Sequence, residues 1–347
     1  MQDKKELIKI TQKRIIYLDV LKILATFAVI TMHVASIHWY TESPSSFNWN
    51  VFNFYDSIVR WAVPIFVMIS GALFLNNSKE LDIKKLYKKN IFRIITAFIF
   101  WSMFYTIKTN NFFVKGKASI VPFFRSFIEG HYHLWFLYMI VGLYMMVPIL
   151  RKVTADKKVT EYFLIISIIF SFIIPTICKM PTISKVLGYV NLNFEYITYF
   201  VLGYYLSENE ISVKTRKIIY VFSLIGFLVT IFGSSIIANY KMEPFGLYGE
   251  ISLNIFLETI GIFVFIKNRK YNIDYKKSEI LNKLVKYSFG IYLIHVLVID
   301  DIKKIGITPL TFNPIISIPI ISILIFIISL IISAIINHIP ILKKYIV

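Results

Sequence analysis

Ten apolar segments run through this sequence, and they constrain its fold more than any other feature. A helix needs about 20 apolar residues to cross the hydrocarbon core of a bilayer. The segments therefore predict an all-α, polytopic integral membrane helical bundle of about ten transmembrane helices, forming one membrane-embedded domain over residues 1–347. The predicted spans are 16–39, 52–75, 91–109, 133–150, 160–178, 194–207, 217–239, 248–266, 284–302 and 314–337, of which 194–207 is the shortest.

The composition agrees with a membrane protein. Hydrophobic residues make up 57% of the chain and charged residues only 17%, whereas soluble domains carry about 25% charged residues. The first apolar segment is too long for a signal peptide, and no small-residue cleavage site follows it, so we expect a retained helix. We see no repeat or linker and expect no appended soluble domain. Any chemistry must then use groups inside the bundle or at its two mouths.

The distribution of positive charge predicts the orientation of the chain. Of the 38 Lys and Arg residues, 27 lie in the alternate set of connecting segments that includes both termini, and nine lie in the other set. The positive-inside rule places both termini, including the segment 1–15, in the cytoplasm. Topology thus accounts for the net charge of +18, and we expect no nucleic-acid partner. The single cysteine, Cys178, excludes an internal disulfide and a cysteine metal cluster.

The first predicted helix carries three ionisable residues, Asp19, Lys22 and His33. Ionisable groups inside a membrane are costly and suggest function. Asp19 and Lys22 are three residues apart and can simply pair with each other. His33 follows Lys22 by eleven positions, which is about 16 Å of helix and close to three full turns. Both residues therefore lie on one face of the helix, a stripe along its axis. A lone histidine is often a packing residue, but this alignment favours a functional His33.

Two features stand out in the second predicted helix. Arg60 lies in its outer third, at the depth of His33, and fits either a functional cation or an interfacial arginine beside Trp61. Pro64 and the pair Ser70-Gly71 predict a kink and a close helix approach.

Further polar groups lie in and beside the later spans. His131 and His133 open the fourth span next to Glu129, a pattern that suits metal ligands or substrate contacts, but no third metal ligand except Glu129 is evident. His295 and Glu258 lie in the middle of their spans and fit either a relay or a hydrogen bond within the bundle.

A basic stretch precedes the third predicted helix on the cytoplasmic side. It fits plain positive-inside charge, and it is also dense enough to bind a polyanion such as the phosphates of coenzyme A. Its residues are Lys84, Lys85, Lys88, Lys89 and Arg93.

Four stretches together resemble the membrane acyltransferase family called acyltransferase 3. YLDVLKILATFAVITMH (17–33) resembles its first helix, in which a basic residue, ten residues and then a histidine follow one another, as Lys22 and His33 do here. The other three stretches are VPIFVMISGALFL (63–75), HLWFLYMIVGLYMMVPIL (133–150) and SFGIYLIH (288–295). They occur in order over nearly the whole chain. The branch that looks most similar contains stand-alone O-acetyltransferases of surface polysaccharides.

The resemblance implies a multi-pass O-acyltransferase of the bacterial cytoplasmic membrane. It would move an acetyl or other short acyl group from cytoplasmic acetyl-CoA to a hydroxyl of a cell-surface glycan or lipid-linked saccharide, directly or through an acetyl-histidine. Its partners would be acyl-CoA, this acceptor and the lipid bilayer, and no metal is expected. The expected groups are His33 as general base, Lys22 and Arg60 for the oxyanion, Arg93, Lys89 and Lys88 for the donor phosphates, and His133, Glu129 and His295 for the acceptor.

The chain also departs from the family pattern. Many relatives have Arg, two residues and Arg at the start of the third helix, where this chain has Asn90 and Arg93. Lys22 stands where many have arginine, which keeps the charge and loses the planar fork. We expect no esterase-like domain of the kind that is fused to some relatives. A transporter or flippase for a lipid-linked sugar would use the same buried charges, although we see no inverted repeat, and an inactive subunit of a polysaccharide synthase is a third class.

Overall fold

Helices form all the regular secondary structure in the part of the chain that the structure describes. The computed structural model describes residues 16–78, 80–109, 120–177, 193–240, 245–272 and 274–346, with no strand among them. The segment 1–15 and Cys178 lie outside these residues. The helices are α1 Ile16–Ala35, α2 Phe47–Ser57, α3 Ala62–Phe74, α4 Ile83–Thr109, α5 Ile120–Glu129, α6 Trp135–Val153, α7 Lys157–Ile177, α8 Glu195–Glu208, α9 Val213–Asn239, α10 Phe245–Tyr248, α11 Leu253–Lys267, α12 Tyr275–Lys304, α13 Pro314–His338 and α14 Pro340–Tyr345.

Among the described residues, seven spans are long and apolar enough to cross a membrane, which confirms an all-helical membrane protein. They are α1, α2 with α3, α4, α6, α7, α9 and α13. The predicted number of ten and the orientation of the termini stay predictions. The other three predicted spans also contain helices, but α8 has 14 residues, α11 has 15, and α12 has 30 with charged residues in its first and last turns.

These three helices contribute some of the most buried side chains of the protein. Tyr199 and Phe200 of α8, Phe263 of α11, and Leu293 and His295 of α12 are fully buried. A helix surrounded by other helices needs little lipid-facing apolar surface. Their short or polar sequences therefore fit positions inside the bundle, where α1 packs against α3, α11, α12 and α13.

The second predicted span is interrupted in its outer part. α2 ends at Ser57 and α3 begins at Ala62, and the turn between them contains Arg60. Pro64 has no N–H group and cannot donate a hydrogen bond to the carbonyl of Arg60, four residues earlier. The kink expected at Pro64 is thus present as a break that places Arg60 on a turn.

The close approach expected at Ser70-Gly71 is confirmed. A Cβ atom on Gly71 would lie 1.7 Å from the carbonyl oxygen of Phe200, and one on Gly203 would lie 2.1 Å from the carbonyl oxygen of Met68. Each glycine therefore faces the backbone of the other helix across the α3–α8 contact. Small residues allow this kind of packing between membrane helices.

Several segments rich in Lys and Arg lie at the same end of the bundle. Arg151, in the last turn of α6, donates a hydrogen bond to the carbonyl of Asn76, which follows α3. Lys267 at the end of α11 donates to the carbonyls of Leu206, Ser207 and Asn209 at 2.7, 3.1 and 2.9 Å. These bonds join the segments that the positive-inside rule assigns to the cytoplasm.

Cysteine labelling tests this orientation. In a Cys178→Ser background, we expect Lys84→Cys and Lys276→Cys to be protected from a membrane-impermeant maleimide in intact cells, and Glu129→Cys to be labelled. All three side chains are exposed, so access depends on the side of the membrane alone. Labelling of Lys84→Cys from outside would reverse the topology and remove the proposed cytoplasmic donor site.

Candidate active site

Two histidines from distant parts of the sequence stack inside the bundle. The rings of His33 on α1 and His295 on α12 have centroids 5.3 Å apart and planes inclined by 27°. His33 also meets the ring of Tyr132 edge to face at 5.3 Å. The residue predicted as the base is therefore part of an aromatic and imidazole cluster.

A second pair of histidines comes from the turn before α6. Gly130 has a φ of +71°, which favours glycine, and reverses the chain after α5. The Nδ1 atoms of His131 and His133 are 3.1 Å apart, so one ring donates a hydrogen bond to the other. The ring of His133 lies 5.4 Å from that of His295. We call His33, His131, His133 and His295 the histidine cluster.

Two tyrosines hold the α12 side of the histidine cluster. The hydroxyl of Tyr105 donates to the carbonyl of Leu293 at 2.9 Å and accepts from the amide of Leu297 at 3.1 Å. It thus bridges two backbone groups of α12 on either side of His295. The hydroxyl of Tyr292 donates to the carbonyl of His133. These bonds fix His295 relative to α4 and to the turn before α6.

The hydrogen bonding of His295 determines its tautomer. Its Nδ1 atom lies 2.6 Å from the carbonyl oxygen of Tyr292, which can only accept, so Nδ1 carries the proton of the neutral ring. The Nε2 atom is buried without a hydrogen-bond partner among the described residues. It is therefore available as an acceptor inside the cluster.

A pocket opens beside the histidine cluster. His33 and His133 line it together with the aromatic side chains of Phe66, Trp135, Phe136 and Tyr292 and with Glu250. Glu250 is the acidic residue in the wall of this pocket, and it lies within electrostatic range of Arg60. We call this the outer pocket.

Arg60 is held near the outer pocket by its own neighbours. It forms an ion pair with Asp56, one helical turn earlier, whose side chain is 1% exposed. Its guanidinium lies 4.5 Å from the ring centroid of Tyr248 and donates to the Tyr248 carbonyl at 3.4 Å. Arg60 thus contacts the segment that leads to Glu250.

The predicted donor-binding cations lie at the other end of α1. Arg93 lies within electrostatic range of Lys22 and packs against the Phe289 ring, 5.5 Å from its centroid. Lys88 and Lys89 are exposed on a π-helical turn, Leu86–Ile91, in the first part of α4. We call this group the inner mouth.

Partly exposed side chains connect the inner mouth to the outer pocket. Phe289 stacks on Tyr292, with centroids 6.5 Å apart, and Tyr292 meets Phe136 at 5.7 Å. On the other side, the hydroxyl of Tyr144 lies 3.5 Å from that of Ser70. All five side chains are partly exposed, and the ring contacts run from Arg93 through Phe289 and Tyr292 to Phe136 in the outer pocket.

Glu129 is not brought into the histidine cluster. Its carboxylate accepts a hydrogen bond from Nε of Arg125 at 2.7 Å, in an ion pair whose two side chains are largely exposed. Within the described ranges, no group of three or more His, Cys, Asp or Glu residues is arranged to hold a metal ion.

Comparison of the sequence with protein-family models identifies the family of the chain. The family model described as "Acyltransferase domain" (acyltransferase 3) matches residues 15–336, nearly the whole chain. The chain belongs to this acyltransferase family. No curated protein and no solved structure matches it. The chain is thus a multi-pass membrane acyltransferase, and the histidine cluster and the inner mouth both lie within the matched range.

Sequence reasoning missed three residues of the candidate site. Tyr105 and Tyr292 are two of 22 tyrosines, and nothing in the sequence separates them from interfacial ones. Glu250 begins a predicted span and resembles any carboxylate at a helix start. Only the packing of distant helices brings these residues to the pocket.

Proposed function

We propose that the protein is a membrane O-acyltransferase that moves an acetyl or other short acyl group from cytoplasmic acyl-CoA to a hydroxyl of an extracytoplasmic glycan or related acceptor. The observation that carries the proposal is the placement of two different groups near the two ends of α1. Cations gather at the inner mouth, and imidazoles gather at the outer pocket about 16 Å along α1. This separation matches a donor and an acceptor that approach from opposite sides.

The inner mouth suits the donor. Acyl-CoA carries phosphates at one end, and Arg93, Lys88 and Lys89 supply charge-assisted hydrogen bonds for them. Lys22 adds a fourth cation beside Arg93. Phe289, Tyr144 and their partly exposed neighbours would line the path of the thin pantetheine arm from the inner mouth. The thioester of the donor then reaches the outer pocket.

The outer pocket suits the transfer itself. His33 accepts the proton of the acceptor hydroxyl, the oxygen attacks the thioester carbonyl, and the tetrahedral intermediate collapses to the ester and the CoA thiolate. The proton on His33 then passes to the thiolate, so the reaction needs no net proton. The stacked His295 and the adjacent His133 fix the position of the His33 ring and exclude water.

Donor binding is tested by removing the cations of the inner mouth. We expect Arg93→Ala to weaken acetyl-CoA binding by about 10- to 100-fold, because one charge-assisted contact is worth roughly 1.5–3 kcal/mol. Lys88→Ala and Lys89→Ala should each have a smaller effect, because both side chains are exposed. The measurement is calorimetric titration of the purified protein with acetyl-CoA.

Lys276→Ala is the matched control, because Lys276 is exposed on the first turn of α12 and outside the inner mouth. It should bind acetyl-CoA like the wild type. If the Arg93, Lys88 and Lys89 triple variant also binds like the wild type, the donor site lies elsewhere.

A further inference from the structure

Three side chains hold the backbone of residues 247–250, which end α10 and begin the connection to α11, and we call these residues the held segment. Tyr199 of α8 donates to the carbonyl of Glu250 at 2.7 Å. Arg60 donates to the carbonyl of Tyr248, and Asn254 of α11 donates to the carbonyl of Leu247 at 2.7 Å. Three backbone carbonyls within four residues are therefore held in place. This rigidity is what a binding group on a short connecting segment requires.

The held segment places Glu250 in the wall of the outer pocket. Arg60 has its ion pair with Asp56 and lies within electrostatic range of Glu250, and among the described residues no side chain is within ion-pair or hydrogen-bond distance of the Glu250 carboxylate. Its oxygens are left to accept hydrogen bonds from whatever enters the pocket beside His33.

The wall of the pocket next to Glu250 is aromatic. Trp135 is 37% exposed, and its ring lies 5.9 Å from that of Tyr196 on α8. A flat aromatic face and a carboxylate side by side suit a sugar ring, because the face packs on C–H groups and the carboxylate accepts hydrogen bonds from hydroxyls. The same carboxylate repels a phosphate or a uronate.

We infer that Glu250 and Trp135 form an acceptor subsite for an uncharged sugar ring, and that Arg60 is a positioning residue that holds Glu250 there. The inference rests on the proposed function and makes its acceptor more specific. It also gives Arg60 a different role from oxyanion stabilisation, because the guanidinium is bound to Asp56 and to the backbone of the held segment.

The test uses the full-length protein in nanodiscs with radiolabelled acetyl-CoA. The acceptor probes are maltotetraose and other neutral oligosaccharides, and tetragalacturonate as the anionic probe. We expect neutral acceptors to be preferred. Glu250→Gln should raise the KM for the neutral acceptor by about 10- to 100-fold, as the loss of one hydrogen bond to a charged group would. Trp135→Ala should also raise this KM, because it removes the aromatic face on which the sugar ring packs. Glu250→Gln should also reduce the discrimination between neutral acceptors and tetragalacturonate, because the charge that repels the uronate is removed.

Arg60→Lys keeps the charge beside Asp56 and removes the planar fork. We expect it to raise the acceptor KM as Glu250→Gln does, with kcat changed far less. A fall in kcat at unchanged KM would instead make Arg60 an oxyanion stabiliser and overturn the positioning role. Glu42→Gln, in the loop after α1, is the matched carboxylate control and should keep the wild-type KM.

The outcomes separate the inference from the proposed function. Unchanged acceptor KM in Glu250→Gln and Trp135→Ala, preference for tetragalacturonate, or failure of every neutral oligosaccharide while acetyl-CoA still binds would overturn the subsite. Failure of the wild-type protein to bind acetyl-CoA would overturn the proposed function, and the subsite with it.

Discussion

His33→Asn is expected to reduce acyl transfer by about 10²- to 10⁴-fold while acetyl-CoA still binds, because that is the usual contribution of a positioned general base. Asparagine has a similar reach and can replace a hydrogen bond, but it has no basic nitrogen. His33 stacks on His295 and lines the outer pocket, so the loss should fall on the chemical step. Turnover of radiolabelled acetyl-CoA and calorimetric binding of acetyl-CoA measure the two effects separately.

His38→Asn is the matched control for this substitution. His38 lies in the turn after α1, where the Thr41 hydroxyl contacts its Nδ1 atom and carbonyl oxygen, outside the histidine cluster. It should retain wild-type turnover. A His33→Asn protein that elutes as wild type in size exclusion and keeps more than about a tenth of the turnover would show that His33 is a packing residue. His133 and His295 would then become the candidates for the base.

The positions of the helices could be predicted from the sequence because the bilayer imposes one length on each span. Each predicted span overlaps a helix, and the deviations have local causes. The break between α2 and α3 follows from Pro64, and the π-helical turn at Leu86–Ile91 has no sequence signal that we recognise. The number of true spans is harder to predict, because interior helices such as α8 are shorter than the bilayer needs.

The candidate site was predictable only where its groups share one helix. The stripe of Lys22 and His33 follows from helical periodicity. The contacts of His33 with His295 and of Tyr292 with the turn at His133 depend on packing between residues more than 150 positions apart. The Asp56–Arg60 pair was not predicted, although an acid four residues before an arginine can form an ion pair on one helical face.

The α3–α8 contact underlies the geometry of the outer pocket. α3 begins two residues after Arg60, and α8 carries Tyr199, so two of the three anchors of the held segment depend on how these helices pack. Gly71 and Gly203 set that packing distance. A change that separates the two helices should therefore disturb the pocket as well as the stability of the bundle.

Gly71→Ala is expected to destabilise the protein by about 3 kcal/mol or more, the upper end of the usual cost of overpacking. The added Cβ atom would lie 1.7 Å from a backbone carbonyl oxygen, and no rotamer change can relieve a clash with backbone. Gly203→Ala should act in the same way from the other helix. Gly142→Ala is the control, because a Cβ atom there meets nothing within 4 Å and alanine favours a helix. Thermal unfolding in detergent should thus show a large loss for Gly71→Ala and no loss for Gly142→Ala. Equal melting temperatures for the two variants would mean that α3 and α8 are not in this close contact, and that the outer pocket is built differently.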